Sequence, residues 1–201
     1  MKISAKTIKL NSKSKIRFHP LAKKLYEILM NAYIASNKEE YLKDINNYFG
    51  NRNNIPLHII SMIPRETNSY EIIGGCFSPI FDIKDIVNEN SIISSYVSST
   101  SLDRKNKTDE QFKRISKKRD KEFKQDIIDF IYMDFIRTVS ILSLSKPGAM
   151  YKELGLLTKQ ASFETDIWND VFESNSILLK DFALLIDRPR DTLIKQSRFK
   201  S

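Results

Sequence analysis

Leu57–Ile63 reads LHIISMI, Pro64–Ser69 reads PRETNS and Tyr70–Phe77 reads YEIIGGCF. Two short apolar, β-branched runs joined by a polar turn predict a β-hairpin, and the rest of the chain is placed relative to it. Downstream, Ser91–Ser98 (SIISSYVS) has the composition of a third strand of the same sheet. Upstream, Pro20 stands where a first-turn proline is favoured. Leu21, Leu25, Ile28, Leu29 and Ala32 follow it at the spacing of an amphipathic helix. Glu39–Phe49 predicts a second, shorter helix before the turn-rich Gly50–Asn54. Residues 1–15 are polar and basic, which suits a mobile arm or an edge strand.

Beyond the third strand, Thr108–Gln125 is highly charged but keeps Phe112, Ile115 and Phe123 on one helical face. Asp126–Phe135 (DIIDFIYMDF) is apolar, β-branched and aromatic, and predicts a buried strand. Pro147–Leu154 predicts a helix with Gly155 as its C-terminal cap. Thr158–Trp168 is assigned to a strand, Ile177–Ile186 to a strand or helix, and residues 187–201 to a basic tail. Helices, a β-meander and then alternating strands and helices give a single α/β (α+β) domain over residues 16–186. Its sheet is expected to be mixed, mostly antiparallel and flanked by helices.

Composition narrows the function classes. Hydrophobic residues make up 41% of the 201, enough for a core, and five glycines and six prolines are too few for a loop-dominated chain. Cys76 is the single cysteine, so no internal disulfide can form and a reducing, cytoplasmic setting is expected. No apolar run approaches the roughly 20 residues of a membrane helix. One cysteine and two distant histidines, His19 and His58, offer no metal cluster, and no phosphate-binding G-x-x-x-x-G-K loop is present. The net charge of +8 suits an anionic partner such as nucleic acid or a phosphorylated cofactor.

Three stretches within this order are similar to the GNAT superfamily of N-acyltransferases. Ile72–Phe77 (IIGGCF) resembles its third strand. Ser94–Val97 leading into Arg104–Gln111 (RKNKTDEQ) resembles its fourth strand and pyrophosphate loop. Ala149–Leu156 (AMYKELGL) resembles the helix end after its fifth strand. The resemblance spans roughly residues 16–168 and implies an enzyme that uses acetyl-coenzyme A or a longer acyl-coenzyme A to modify an amine. It assigns cofactor binding to Val97, Ser98, Arg104, Lys105, Asn106, Lys107 and Thr108. It makes Tyr151 the acid that protonates the leaving thiolate, and Glu71, or Asp82 just after the third strand, is placed to be a base for the amine. The chain departs from the pattern at Arg104–Asp109, where the glycines that let a backbone approach pyrophosphate are missing.

Two other readings come from the residues themselves. Arg104–Lys124 holds ten basic residues against four acidic ones, which fits a helix lying along nucleic-acid phosphates or a solvated face. Lys180–Lys200 (KDFALLIDRPRDTLIKQSRFK) has a helix-turn-helix outline, with a turn at Arg188–Pro189, but no third, supporting helix is apparent from sequence. A basic nucleic-acid- or ribonucleoprotein-binding protein is therefore the alternative function, and a structural or assembly role on an inactive enzyme fold is a third.

Overall fold

A computed structural model describes residues 3–32, 59–78, 81–84, 86, 92–98, 109–142, 144–174 and 176–198. The hairpin is β3 (Ile59–Glu66) and β4 (Ser69–Gly74), and β5 (Ile92–Ser98) is the third strand. Two N-terminal strands, β1 (Ile3–Ile8) and β2 (Lys15–Phe18), complete a five-stranded sheet in the order β1-β5-β3-β4-β2. β1–β5 and β3–β4 are antiparallel, β3–β5 and β2–β4 parallel, so the domain is of the expected mixed α/β class. The N-terminal residues thus form an edge strand. The hairpin turns at Asn68, whose φ of 57° is left-handed and suits a short polar side chain.

Successive residues are buried on both central strands, Ile60–Ile63 and Glu71–Gly74, as expected of strands covered on both faces. The covering helices are α1 (Pro20–Ala32) and α2 (Asp109–Ile141). α1 buries the stripe expected of it. His19 caps its first turn: its Nδ1 accepts the Leu21 N–H at 3.3 Å while its carbonyl accepts the Lys23 N–H at 2.9 Å. The Glu39–Phe49 helix and the Gly50–Asn54 turn lie outside the described residues.

α2 corrects the largest sequence expectation. Asp126–Phe135 is not a strand but the middle of a 33-residue helix, about 50 Å long. Its buried residues are Ile127, Ile131, Tyr132, Phe135, Ile136 and Val139, a stripe with helical spacing that runs past the end of the apolar run. Asp129 and Asp134, which break the run, sit where a helix needs polar groups. Asp134 accepts the Gly75 N–H at 2.7 Å.

The remaining elements are all helical. They are α3 (Pro147–Leu157), a 3₁₀ turn (Ala161–Phe163), α4 (Ile167–Phe172), α5 (Leu179–Leu185) and α6 (Arg190–Arg198). Thr158–Trp168 is therefore not a strand. Ile177–Ile186 resolves as helix, and the basic tail holds α6. Gly155 does not cap α3, which continues to Leu157. No helix among the described residues is long and apolar enough to cross a membrane.

Gly75 marks the place where β4 turns away from the sheet. Its φ is +71°, and a Cβ there would fall 2.1 Å from the Ile59 carbonyl oxygen. Gly75→Ala should therefore lower the unfolding free energy by about 2–4 kcal/mol, read from urea denaturation midpoints. An unchanged midpoint would contradict this backbone path. The His19 cap predicts a pH effect. Burial pushes the His19 pKa below its ordinary value of 6.5, with Arg65 adding to the shift and Glu71 opposing it. Because the folded histidine is the weaker base, the unfolded chain takes up more protons as the pH falls through 6.5, and stability falls with it. His19→Asn keeps an acceptor for the cap and should lose less stability between about pH 7.5 and pH 5.5.

Candidate nucleic-acid interface

Of the residues expected to carry acyl transfer, Glu71, Tyr151, Val97 and Ser98 are among those described, and each is engaged in packing or pairing. Glu71 is buried on β4 with both carboxylate oxygens occupied. Arg17 Nε donates to Oε1 at 2.9 Å and Arg65 Nε to Oε2 at 2.7 Å, and each guanidinium places a second nitrogen on the same oxygen. That arrangement pins β2 and β3 to β4 and leaves no lone pair aimed at an amine. Tyr151, on α3, packs its ring 5.6 Å from that of Phe182 and points its hydroxyl at the Ile177 carbonyl, 3.5 Å away. It braces α3 against α5. Val97 and Ser98 end β5, where they pair with Ser4 and Ile3; on the β3 side, pairing stops at Ser95. Arg104, Lys105, Asn106, Lys107 and Thr108 lie outside the described residues. Cys76 is buried, and its thiol is pushed up by that burial and by Asp134, so it is a poor nucleophile.

The C-terminal helices do assemble a recognisable unit. α5 buries Phe182 and Ala183 and ends in a Schellman turn. The Arg188 N–H donates to the Ala183 carbonyl at 3.0 Å and the Asp187 N–H to the Leu184 carbonyl at 3.3 Å, while Asp187 adopts a left-handed φ of 51°. Only residues 186–189 separate α5 from α6, so the chain reverses sharply. Leu193 then buries its side chain completely beneath α6. Two short helices joined by a four-residue turn, with Ala183 and Leu193 both buried, have the outline of a helix-turn-helix.

The supporting helix that sequence reading does not identify is α3. Gly148, in its first turn, lets α6 approach so closely that a Cβ there would lie 2.5 Å from the Leu193 carbonyl oxygen. Gln196 of α6 then reaches over the start of α3. Its Oε1 accepts the Gly148 N–H at 3.0 Å, and its Nε2 donates to the Ser145 carbonyl at 3.4 Å. The contact satisfies a backbone donor that a helix N-terminus leaves open.

The outward side of this unit is basic. Arg188, Arg190 and Lys195 are exposed beside Asp191, and residues 188–200 hold five basic side chains against one acidic. A shallow groove of about 500 Å³ runs over the turn between Lys180, Leu184, Arg188 and Arg190. A second cleft, of about 690 Å³, lies behind α3 between Tyr151, Gly155, Leu156, Trp168 and Leu178. No group of three or more His, Cys, Asp or Glu side chains among the described residues is placed to hold a metal ion. No protein-family model, curated protein or solved structure matches the chain.

The two glycines of α3 give opposite predictions. Gly148→Ala should dislodge α6 and speed tryptic cleavage after Arg190 and Lys195 several-fold. Gly155→Ala meets nothing within 4 Å. It should leave cleavage unchanged and raise stability by about 0.5–1 kcal/mol in thermal denaturation.

Proposed function

We propose that the chain binds duplex DNA through α5, the 186–189 turn and α6, with α6 entering the major groove. The observation that carries this reading is the docking of α6 on α3 at Gly148 and Gln196. It holds a short helix rigidly with Arg190, Asp191 and Lys195 outward. In such units the N-terminal part of the second helix reaches base edges while the first helix crosses the backbone. Arg190 and Lys195 are the side-chain types that pair with guanine edges, and Arg188 and Lys180 flank them as phosphate contacts.

Acyl transfer from acetyl-coenzyme A or a longer acyl form to an amine is the weaker reading. One feature supports it: among the described residues, the β3–β5 ladder ends at Ser95, short of Val97 and Ser98. Against it stand the helix at Asp126–Phe135, where the resemblance needs a strand, and the closure of Glu71 by two arginines. Calorimetric titration with acetyl-coenzyme A is expected to give no saturable heat at millimolar cofactor.

The direct test is selection from a random pool of duplexes, followed by fluorescence anisotropy with the selected sequence. Arg190→Ala and Lys195→Ala should each weaken that complex by about 5–150-fold while leaving the helical circular dichroism intact. Failure to enrich any sequence, with binding indifferent to both substitutions, would remove α6 as a reading helix.

A further inference from the structure

α2 is longer than the core requires. Among its described side chains the first buried one is Ile127, and none from Glu110 to Asp126 is buried. Those 17 residues extend the helix by about 25 Å. At 3.6 residues per turn, Lys113, Arg114, Lys117, Lys118, Lys121 and Lys124 fall within an arc of about 140°, and all six are exposed. Ile115, Arg119 and Phe123 lie on the opposite side and are half-buried.

Like charges meet on this face at helical spacing, offset in part by Glu110, Asp120 and Glu122 four residues from Arg114, Lys124 and Lys118. Lys113 and Lys117, Arg114 and Lys118, and Lys117 and Lys121 are each four residues apart, a spacing at which like charges destabilise a helix. Along residues 113–124, the ion pair among the described residues is Lys118 with Glu122, exposed and 3.9 Å long. Nor is the basic excess spread evenly, as a merely lysine-rich composition would make it. Residues 113–124 hold seven basic and two acidic side chains, and residues 188–200 five and one. Together these stretches exceed the net charge of the whole protein, +8.

We propose that this face of α2 is a second DNA contact, a track for the phosphates of a duplex that reads no sequence. The proposal rests on the DNA-binding reading of α5 and α6 and adds a separate surface to it. The six side chains span about 16 Å of helix axis, and duplex DNA carries about ten phosphate charges over such a length. Binding there releases condensed counterions. Single-stranded nucleic acid is a poorer fit, because its binding relies on aromatic side chains that stack bases. The arc contains none, since Phe123 faces the protein.

The test uses the full chain carrying Lys113→Gln, Lys117→Gln, Lys121→Gln and Lys124→Gln together, with the four Lys→Arg changes as a charge-preserving control. Anisotropy with a labelled duplex of about 30 base pairs is measured from about 50 to 200 mM KCl. The glutamine variant should flatten the slope of log affinity against log salt by about 3.6, at about 0.9 for each of the four lost phosphate contacts. It should keep the sequence preference of the wild type, and the arginine variant should keep both. An unchanged slope in the glutamine variant would overturn the track while leaving α6 as the DNA reader. Loss of preference together with slope would mean that α2 does not act separately. Tighter, lysine-dependent binding of single-stranded RNA would replace the duplex as its partner. If the wild type binds no duplex at all, the DNA reading of α5 and α6 falls, and the track with it.

Discussion

Sheet and helices meet where β4 runs under α2, and the contact tolerates almost no side chain. A Cβ on Gly74 would lie 2.9 Å from both the Phe130 ring and the Asp134 carboxylate. At Gly75 the backbone turns left-handed, and its N–H is held by Asp134. The two glycines let the helix lie close to the strand, and the carboxylate satisfies a backbone donor at the point where the strand ends. A buried N–H without such a partner costs about 1–3 kcal/mol, so this one bond sets where along α2 the sheet can sit. That position decides which half of α2 is covered and which is left in solvent.

The C-terminal helices take their position from the same helix. Tyr132 of α2 packs edge-on to Trp168 at 5.0 Å and donates its hydroxyl to the Phe163 carbonyl at 3.2 Å. One turn earlier, Asp129 accepts from Thr165, and two turns earlier Gln125 donates to the Glu164 carbonyl at 3.1 Å. From the other side, the end of α1 is tied to the start of α3, where the Ala32 carbonyl accepts from both the Ser145 hydroxyl and the Lys146 N–H. The helix-turn-helix is thus built on a platform fixed at two points. In the proposed complex with DNA, α6 would not have to be ordered on binding, which would spare part of the entropy of association.

How much of this was legible in the sequence depended on whether the controlling contacts were local. The hairpin and α1 were readable because apolar spacing and Pro20 speak within a dozen residues. Asp126–Phe135 was misread because its β-branched content, taken alone, outweighs a helical stripe that becomes visible only when Val139 is included. The α5–α6 outline was readable for the same local reason. Its supporting helix was not, because Gly148 and Gln196 are 48 positions apart and neither residue type announces a contact. Glu71 looked like a free carboxylate for a similar reason: Arg17 lies 54 positions away and reaches it only once β2 has paired with β4.

Under the proposed DNA reading, the division of charge between α6 and α2 matches what a nine-residue helix can accomplish. Its outward face offers Arg190, Asp191 and Lys195, and a good base contact discriminates by about 1–3 kcal/mol, so two or three such contacts choose among sequences without holding DNA tightly. Affinity has to come from phosphates, whose contribution is additive, independent of sequence and sensitive to salt. Cations placed on α6 itself would compete with the base-reading residues for the same short face. A helix projecting from the core has no such conflict, because its exposed side is free of packing constraints and its length sets how many phosphates it meets. The exposed face of the N-terminal half of α2, which the core does not use, is the face proposed to meet a polyanion, while Phe123 and Gln125 on its other side still pack against the protein.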